Sequence, residues 1–133
     1  MPADTGDAAV ARSPDKISLS DAFAQVTEHW RPKLLGELNG QHVKLSKFKG
    51  EFVWHHHEHE DELFLVVHGR FRMDFRDRSV DLAEGDVIIV PHGMEHRPVA
   101  DEEVHVLLFE PASTVNTGNV RSERTVAVER LSG

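Results

Sequence analysis

The chain has 133 residues, a formal net charge of −8 and no cysteine. That length suits one domain with one real hydrophobic core. The charge argues against a nucleic-acid partner, and the missing thiols exclude disulfides and thiolate metal sites, so any metal must be held by histidine and carboxylate. The first twenty residues lack an apolar core of signal-peptide length, and no run approaches the roughly 20 apolar residues of a membrane span. These features point to a soluble protein of the cytoplasm with no membrane partner.

Residues 1–16 are small and polar and read as a disordered tail. The stretch SLSDAFAQVTEHW follows. Ser18 or Ser20 can cap a helix there, Asp21 suits its first turn, and Phe23, Val26 and Trp30 fall at helical spacing. Pro32 ends the pattern, which predicts a short helix over about residues 18–30.

The period then changes to two. QHVKLSKFK places Val43 and Leu45 on one face, and FVWHHH, LFLVVH, FRMDF, VDL, DVIIV and VHVLLF follow as further short strands. Asn39-Gly40, Gly50, Gly69, Gly85 and Pro91-His92-Gly93 punctuate them. About seven short, evenly spaced strands predict a sandwich or barrel. The domain proper is expected over residues 17–112. Residues 113–133 form an extension with a polar loop and an edge strand at Thr125 to Val128.

The segment WHHHEHEDELFLVVHG, residues 54–69, concentrates the chemistry. On a strand, alternate side chains face opposite ways, so His55 and His57 point together with Val53, while His56 points away with Phe52 and Trp54. Two imidazoles so spaced lie about 7 Å apart along the chain, a usable separation for chelation. Glu62 at the start of the next strand could reach the same ion, and His96, just past the Pro91–Gly93 turn, could supply a third imidazole. Residue by residue the bland readings stay open: solvated or core histidines for His55 and His57, a surface carboxylate for Glu62 and a turn residue for His96. His56, His68 and His92 read as surface or supporting residues. Substrate-pocket candidates, chosen from position alone, are His59, Met73, Met94 and His105.

Taken together these residues resemble the cupin family. The first cupin motif is matched by Gly50, His55, His57, Glu62 and Gly69, the second by Gly85, Pro91, Gly93 and His96, with 15 residues between the two. Two positions depart from the pattern: the spacer from Gly50 to His55 is four residues where five is usual, and Ala100 stands where asparagine is common. The resemblance covers residues 38–110 and implies an all-β fold, a double-stranded β-helix or jelly-roll barrel, behind a short N-terminal helix. It also implies one divalent transition metal held by His55, His57, Glu62 and His96. Iron, manganese and nickel suit four protein ligands with two positions left open, and zinc or copper are the other choices. The implied function is a metalloenzyme acting on a small oxygen-rich molecule, by dioxygenase, decarboxylase or isomerase-like chemistry. A non-catalytic metal-dependent binding module is the alternative. Outward-facing Phe52, Trp54, Leu63, Leu65 and Val67 leave an apolar exterior, which predicts a homodimer.

Overall fold

A computed structural model describes residues 14–131. Most of the expected tail, residues 1–13, lies outside the described residues, as do 132 and 133; Pro14, Asp15 and Lys16 are exposed and irregular.

The helix is shorter than its spacing predicted. Helix α1 covers Leu19–Phe23, and its cap is Ser18, whose Oγ accepts a hydrogen bond from the Asp21 amide at 3.3 Å. The chain unwinds after Phe23 because its apolar residues are needed on two sides of a sheet. Phe23 and Val26 pack with Leu45 on the outside, whereas Trp30 enters the barrel and stacks on Phe48 at 4.5 Å and Phe52 at 4.8 Å. A continuous helix would hold all three on one stripe. Trp30 instead adopts φ 62°, a strained conformation for a bulky residue, secured by its indole N–H donating to the Lys49 carbonyl at 2.8 Å.

Eight strands follow: β1 Lys33–Leu38, β2 Gln41–Glu51, β3 Glu62–His68, β4 Arg70–Phe75, β5 Ser79–Ala83, β6 Val87–Val90, β7 His96–Pro111 and β8 Glu129–Arg130. Asn39 (φ 50°) and Gly40 (φ 78°) turn β1 into β2 as a two-residue hairpin, the geometry Asn-Gly favours. β1 was not anticipated, since KLLGEL lacks clean alternation. The expected edge strand at Thr125 to Val128 is irregular, and the pairing lies just beyond it, where β8 runs parallel to β1.

The long strands β2 and β7 organise the barrel. β7 pairs with β2 from Gln41↔Pro111 to Phe48↔Val104, and resumes at Gly50↔Ala100 after an irregularity that bends both strands. Beyond the bend β7 pairs with β4, and before it with β3, so the same two strands serve both walls. β5 extends the β4 side and β6 the β3 side. Inward residues alternate as a half-buried strand requires: Phe71, Met73 and Phe75 on β4, and Val104, Val106 and Leu108 on β7, are all buried. This is a jelly-roll-like β fold with one short helix among the described residues.

Candidate metal centre

The segment FVWHHH does not form a strand. Its chain crosses the end of the barrel, tied at His55, which exchanges both backbone hydrogen bonds with His96 at 3.1 and 2.9 Å, and at His57, whose carbonyl accepts from Gly93 at 2.7 Å. Alternation survives for the histidines: His55 and His57 are buried and His56 lies outside. It fails for Phe52, which faces inward and meets the His55 ring edge-on at 5.5 Å. Trp54 does face outward, but it lies under two guanidinium groups, Arg76 at 3.9 Å and Arg97 at 5.0 Å from the ring.

His55, His57, Glu62 and His96 come together, with one potential ligand atom from each lying within 4.8 Å of the others. All four are at most 4% exposed. Glu62 Oε1 is 3.0 Å from His57 Nε2 and 3.2 Å from His96 Nε2, yet none of these atoms makes a hydrogen bond of acceptable angle. The polar atoms converge on a common point rather than satisfying one another. His55 Nδ1 donates to the Val53 carbonyl and His96 Nδ1 to the Met94 carbonyl, each at 2.9 Å. A proton on Nδ1 leaves Nε2 as a bare lone pair, the form in which imidazole binds metals.

Electrostatics fit the same picture. Burial, and next the neighbouring His96, push His55 from 6.5 down to about 4, so its ring is neutral at physiological pH. Burial alone would raise Glu62, but contact with His57 and His96 holds it well below the usual carboxylate range. Four buried donors, one of them an anion, are costly without a cation, and a divalent ion at their focus would satisfy all four. Three imidazoles and one carboxylate form a group that can hold a transition metal.

A cavity opens on one side of this group. His55 and Glu62 contribute to its wall, with Trp30, Phe48, Phe52 and Phe64 as an aromatic lining. It offers about 40 Å³ to the centres of water-sized molecules, room for a few waters.

None of the four pocket candidates lines this cavity. Met73 faces inward as its parity requires, but it is fully buried in the apolar core. Met94 and His59 are exposed in the loops beside the ligand residues. His105 is on the outer surface, stacked on Phe23 at 4.7 Å, because its neighbours Val104 and Val106 take the inward positions. Acids near the site are also engaged elsewhere: Glu60 accepts from Ser113 and Asp61 from the His92 amide.

The cavity instead receives Ser46, Glu110 and Asn116, which the sequence reading missed. For two of them the signal was present. Inward parity on β2 runs Phe48, Ser46, Lys44, and on β7 Val106, Leu108, Glu110, so extending each alternation to its polar end points to them. A buried Lys44 Nζ donates to Glu110 Oε2 at 2.6 Å. Burial and the Glu62 charge push Glu110 well above the usual carboxylate range, and Lys44 opposes this. Asn116 belongs to the segment after β7, which folds back on the ligand loop: Asn119 accepts from the His56 amide at 2.8 Å and donates its own amide to the His56 carbonyl at 3.0 Å.

Residues 41–110 match the Cupin_2 family, a cupin domain. The chain belongs to the cupin family. This cupin is 40% identical to a cupin-2 domain containing protein of Shewanella frigidimarina, with a TM-score of 0.70 over 71% of this chain and 93% of that one. It is 30% identical to protein NMB1881 of Neisseria meningitidis, with a TM-score of 0.68 over 73% and 99% of the two chains. It is also 41% identical over 64 residues to the uncharacterized protein YdbB of Bacillus subtilis, a match spanning 47% of this cupin and 57% of that protein's length. Among the described residues no helix is long and apolar enough to cross a membrane.

Proposed function

We propose that His55, His57, Glu62 and His96 bind one divalent transition metal and that this cupin is a metalloenzyme for a small oxygen-rich molecule. The observation that carries this reading is the convergence of four buried donors beside a cavity that reaches only part of the group. A purely structural ion would have no use for such access. Four protein donors leave two positions on a six-coordinate ion, which favours iron, manganese or nickel over zinc. Such an ion supplies Lewis acidity toward a coordinated substrate oxygen. The chain's own residues hold the charge and shape the pocket: the imidazoles and Glu62 would set a site charge of about +1, and the aromatic wall limits the cavity to a small guest. Dioxygenase, decarboxylase and isomerase-like reactions all suit an oxygen-rich guest. A binding module without turnover is the alternative, and it would hold the same metal and release every candidate substrate unchanged. A cytoplasmic location belongs to the same reading, in keeping with a chain that has no cysteine to oxidise.

Elemental analysis of tag-free protein beside His57→Ala tests the metal. About one equivalent of iron, manganese or nickel per chain is expected in the parent and little in the variant. No transition metal in either, even after soaking, would sink the reading.

We propose a homodimer as well, through the outer face of the β3–β6 pair. Ile89 is 61% exposed beside its partner Leu63, and Val87 is 53% exposed beside Leu65. The helix side covers Val67 but not these four. Trp54, under its two arginines, contributes less than the sequence suggested. Ile89→Arg should convert dimers to monomers on a sizing column, and an unchanged dimer would exclude this face.

A further inference from the structure

The barrel interior holds two more unsatisfied polar groups next to the candidate ligands. Ser46 is fully buried, and its Oγ has no hydrogen-bond partner among the described residues. Glu110 is 3% exposed; its Oε2 is taken by Lys44, while its Oε1 makes no well-formed hydrogen bond and lies close to the Glu62 carboxylate. Both side chains line the cavity that also touches His55 and Glu62.

Packing does not account for them. On the core side their inward neighbours, Phe48 and Leu108, are apolar; Lys44 beyond Ser46 engages one Glu110 oxygen and leaves Ser46 Oγ unbonded. A buried hydroxyl and a buried carboxylate oxygen without partners weaken the fold unless something supplies the missing bonds. The Lys44 ion pair also fixes the direction of the carboxylate: with Oε2 turned to the ammonium, Oε1 is the oxygen left for the cavity.

We propose that Ser46 and Glu110 form a subsite that hydrogen-bonds a hydroxyl group of the small molecule whose other oxygens face the His55–Glu62 centre. A hydroxyl both donates and accepts, so it can satisfy Glu110 Oε1 and Ser46 Oγ together. A methyl group in the same place leaves both unpaired, and a site built to bond a hydroxyl rejects the analogue that lacks it. With the aromatic lining and limited room, the guest class is a short hydroxy acid carrying at least one hydroxyl beyond the oxygens at the metal. Lys44 is a positioning residue here, aligning Glu110.

The subsite rests on the metal reading, and the experiment separates the two. Chelator-treated protein is loaded with cobalt(II), and its visible absorption is titrated with racemic lactate and with racemic glycerate, which differ only by methyl against hydroxymethyl. Glycerate should bind the parent about tenfold more tightly, the worth of one net hydrogen bond. In Ser46→Ala, or in Lys44→Met with Glu110→Leu, which removes the carboxylate together with its ammonium partner, the two acids should bind about equally while cobalt uptake stays stoichiometric. Equal binding in the parent, no response to either acid, or a parental preference kept by both variants would overturn the subsite and leave the metal site standing. If the parent takes up no cobalt, the metal reading fails and the subsite falls with it.

Discussion

Lys44→Ala should lower the stability of chelator-treated protein by about 3–5 kcal/mol at pH 8, as expected when one partner of a buried ion pair is removed. Lys44 and Glu110 are both 3% exposed and 2.6 Å apart, so no solvent reaches Glu110 to replace the lost ammonium. The carboxyl can then escape its charge only by taking up a proton. Its folded-state pKa already lies well above the usual range, and losing Lys44 raises it further. A carboxyl of that kind contributes stability that is fully present below its unfolded value, about 4.3, and is lost as pH rises through the folded value. The defect should therefore be small near pH 5 and full at pH 8. Lys44→Met with Glu110→Leu removes both charges and should recover stability to within about 1 kcal/mol of the parent. Urea unfolding of the three proteins at both pH values measures this. A defect in Lys44→Ala below 1 kcal/mol at pH 8 would show that Glu110 is not held as the partner of a buried cation.

Gly118→Ala should damage the candidate metal centre from outside it. A Cβ at Gly118 would stand 2.1 Å from the His56 carbonyl oxygen and 3.1 Å from the His55 ring, and the residue's φ of +57° adds strain. His56 sits between two candidate ligands, and Asn119 grips its backbone at both ends. The clash must move either the ligand loop or the segment that clamps it. We expect a stability loss of about 2–4 kcal/mol and metal affinity down about 10–100-fold, the usual cost of disturbing the residues that orient ligands. A thermal melt and a competition titration against a chelator check the two effects. Parental metal affinity in Gly118→Ala would mean that the C-terminal segment merely covers the ligand loop without setting it.

Three of the four candidate ligands sit in one short stretch, and His96 joined them only through the resemblance to the second cupin motif. His55 and His57 keep the parity of a strand even where the chain is not one, and Glu62 opens a strand whose alternation is clear. Trp30 and Phe52 were not legible, because the side they face depends on where two strandless segments cross the end of the barrel. The helix was read too long for a related reason: Phe23, Val26 and Trp30 keep helical spacing, yet they pack on opposite sides of β2. Ser46 and Glu110 were visible as polar ends of inward alternations, but their importance appears only when β2 and β7 lie side by side. The grip of Asn119 on His56 joins one side-chain oxygen and one backbone amide to a residue 63 positions away, a pairing that no local pattern announces. The pocket candidates lie elsewhere for different reasons: Met73 points inward but into solid core, His105 takes an outward position, and His59 and Met94 are exposed in loops.

The three imidazoles are not equally constrained. His55 and His96 each anchor Nδ1 to a carbonyl two residues earlier in their own segment, whereas His57 Nδ1 has no such partner. For the two anchored rings the rotamer is already chosen in the folded chain, and an arriving ion takes no further side-chain entropy from them. An ion bound there would meet two rings fixed by their own backbone and a third, His57, held by packing alone.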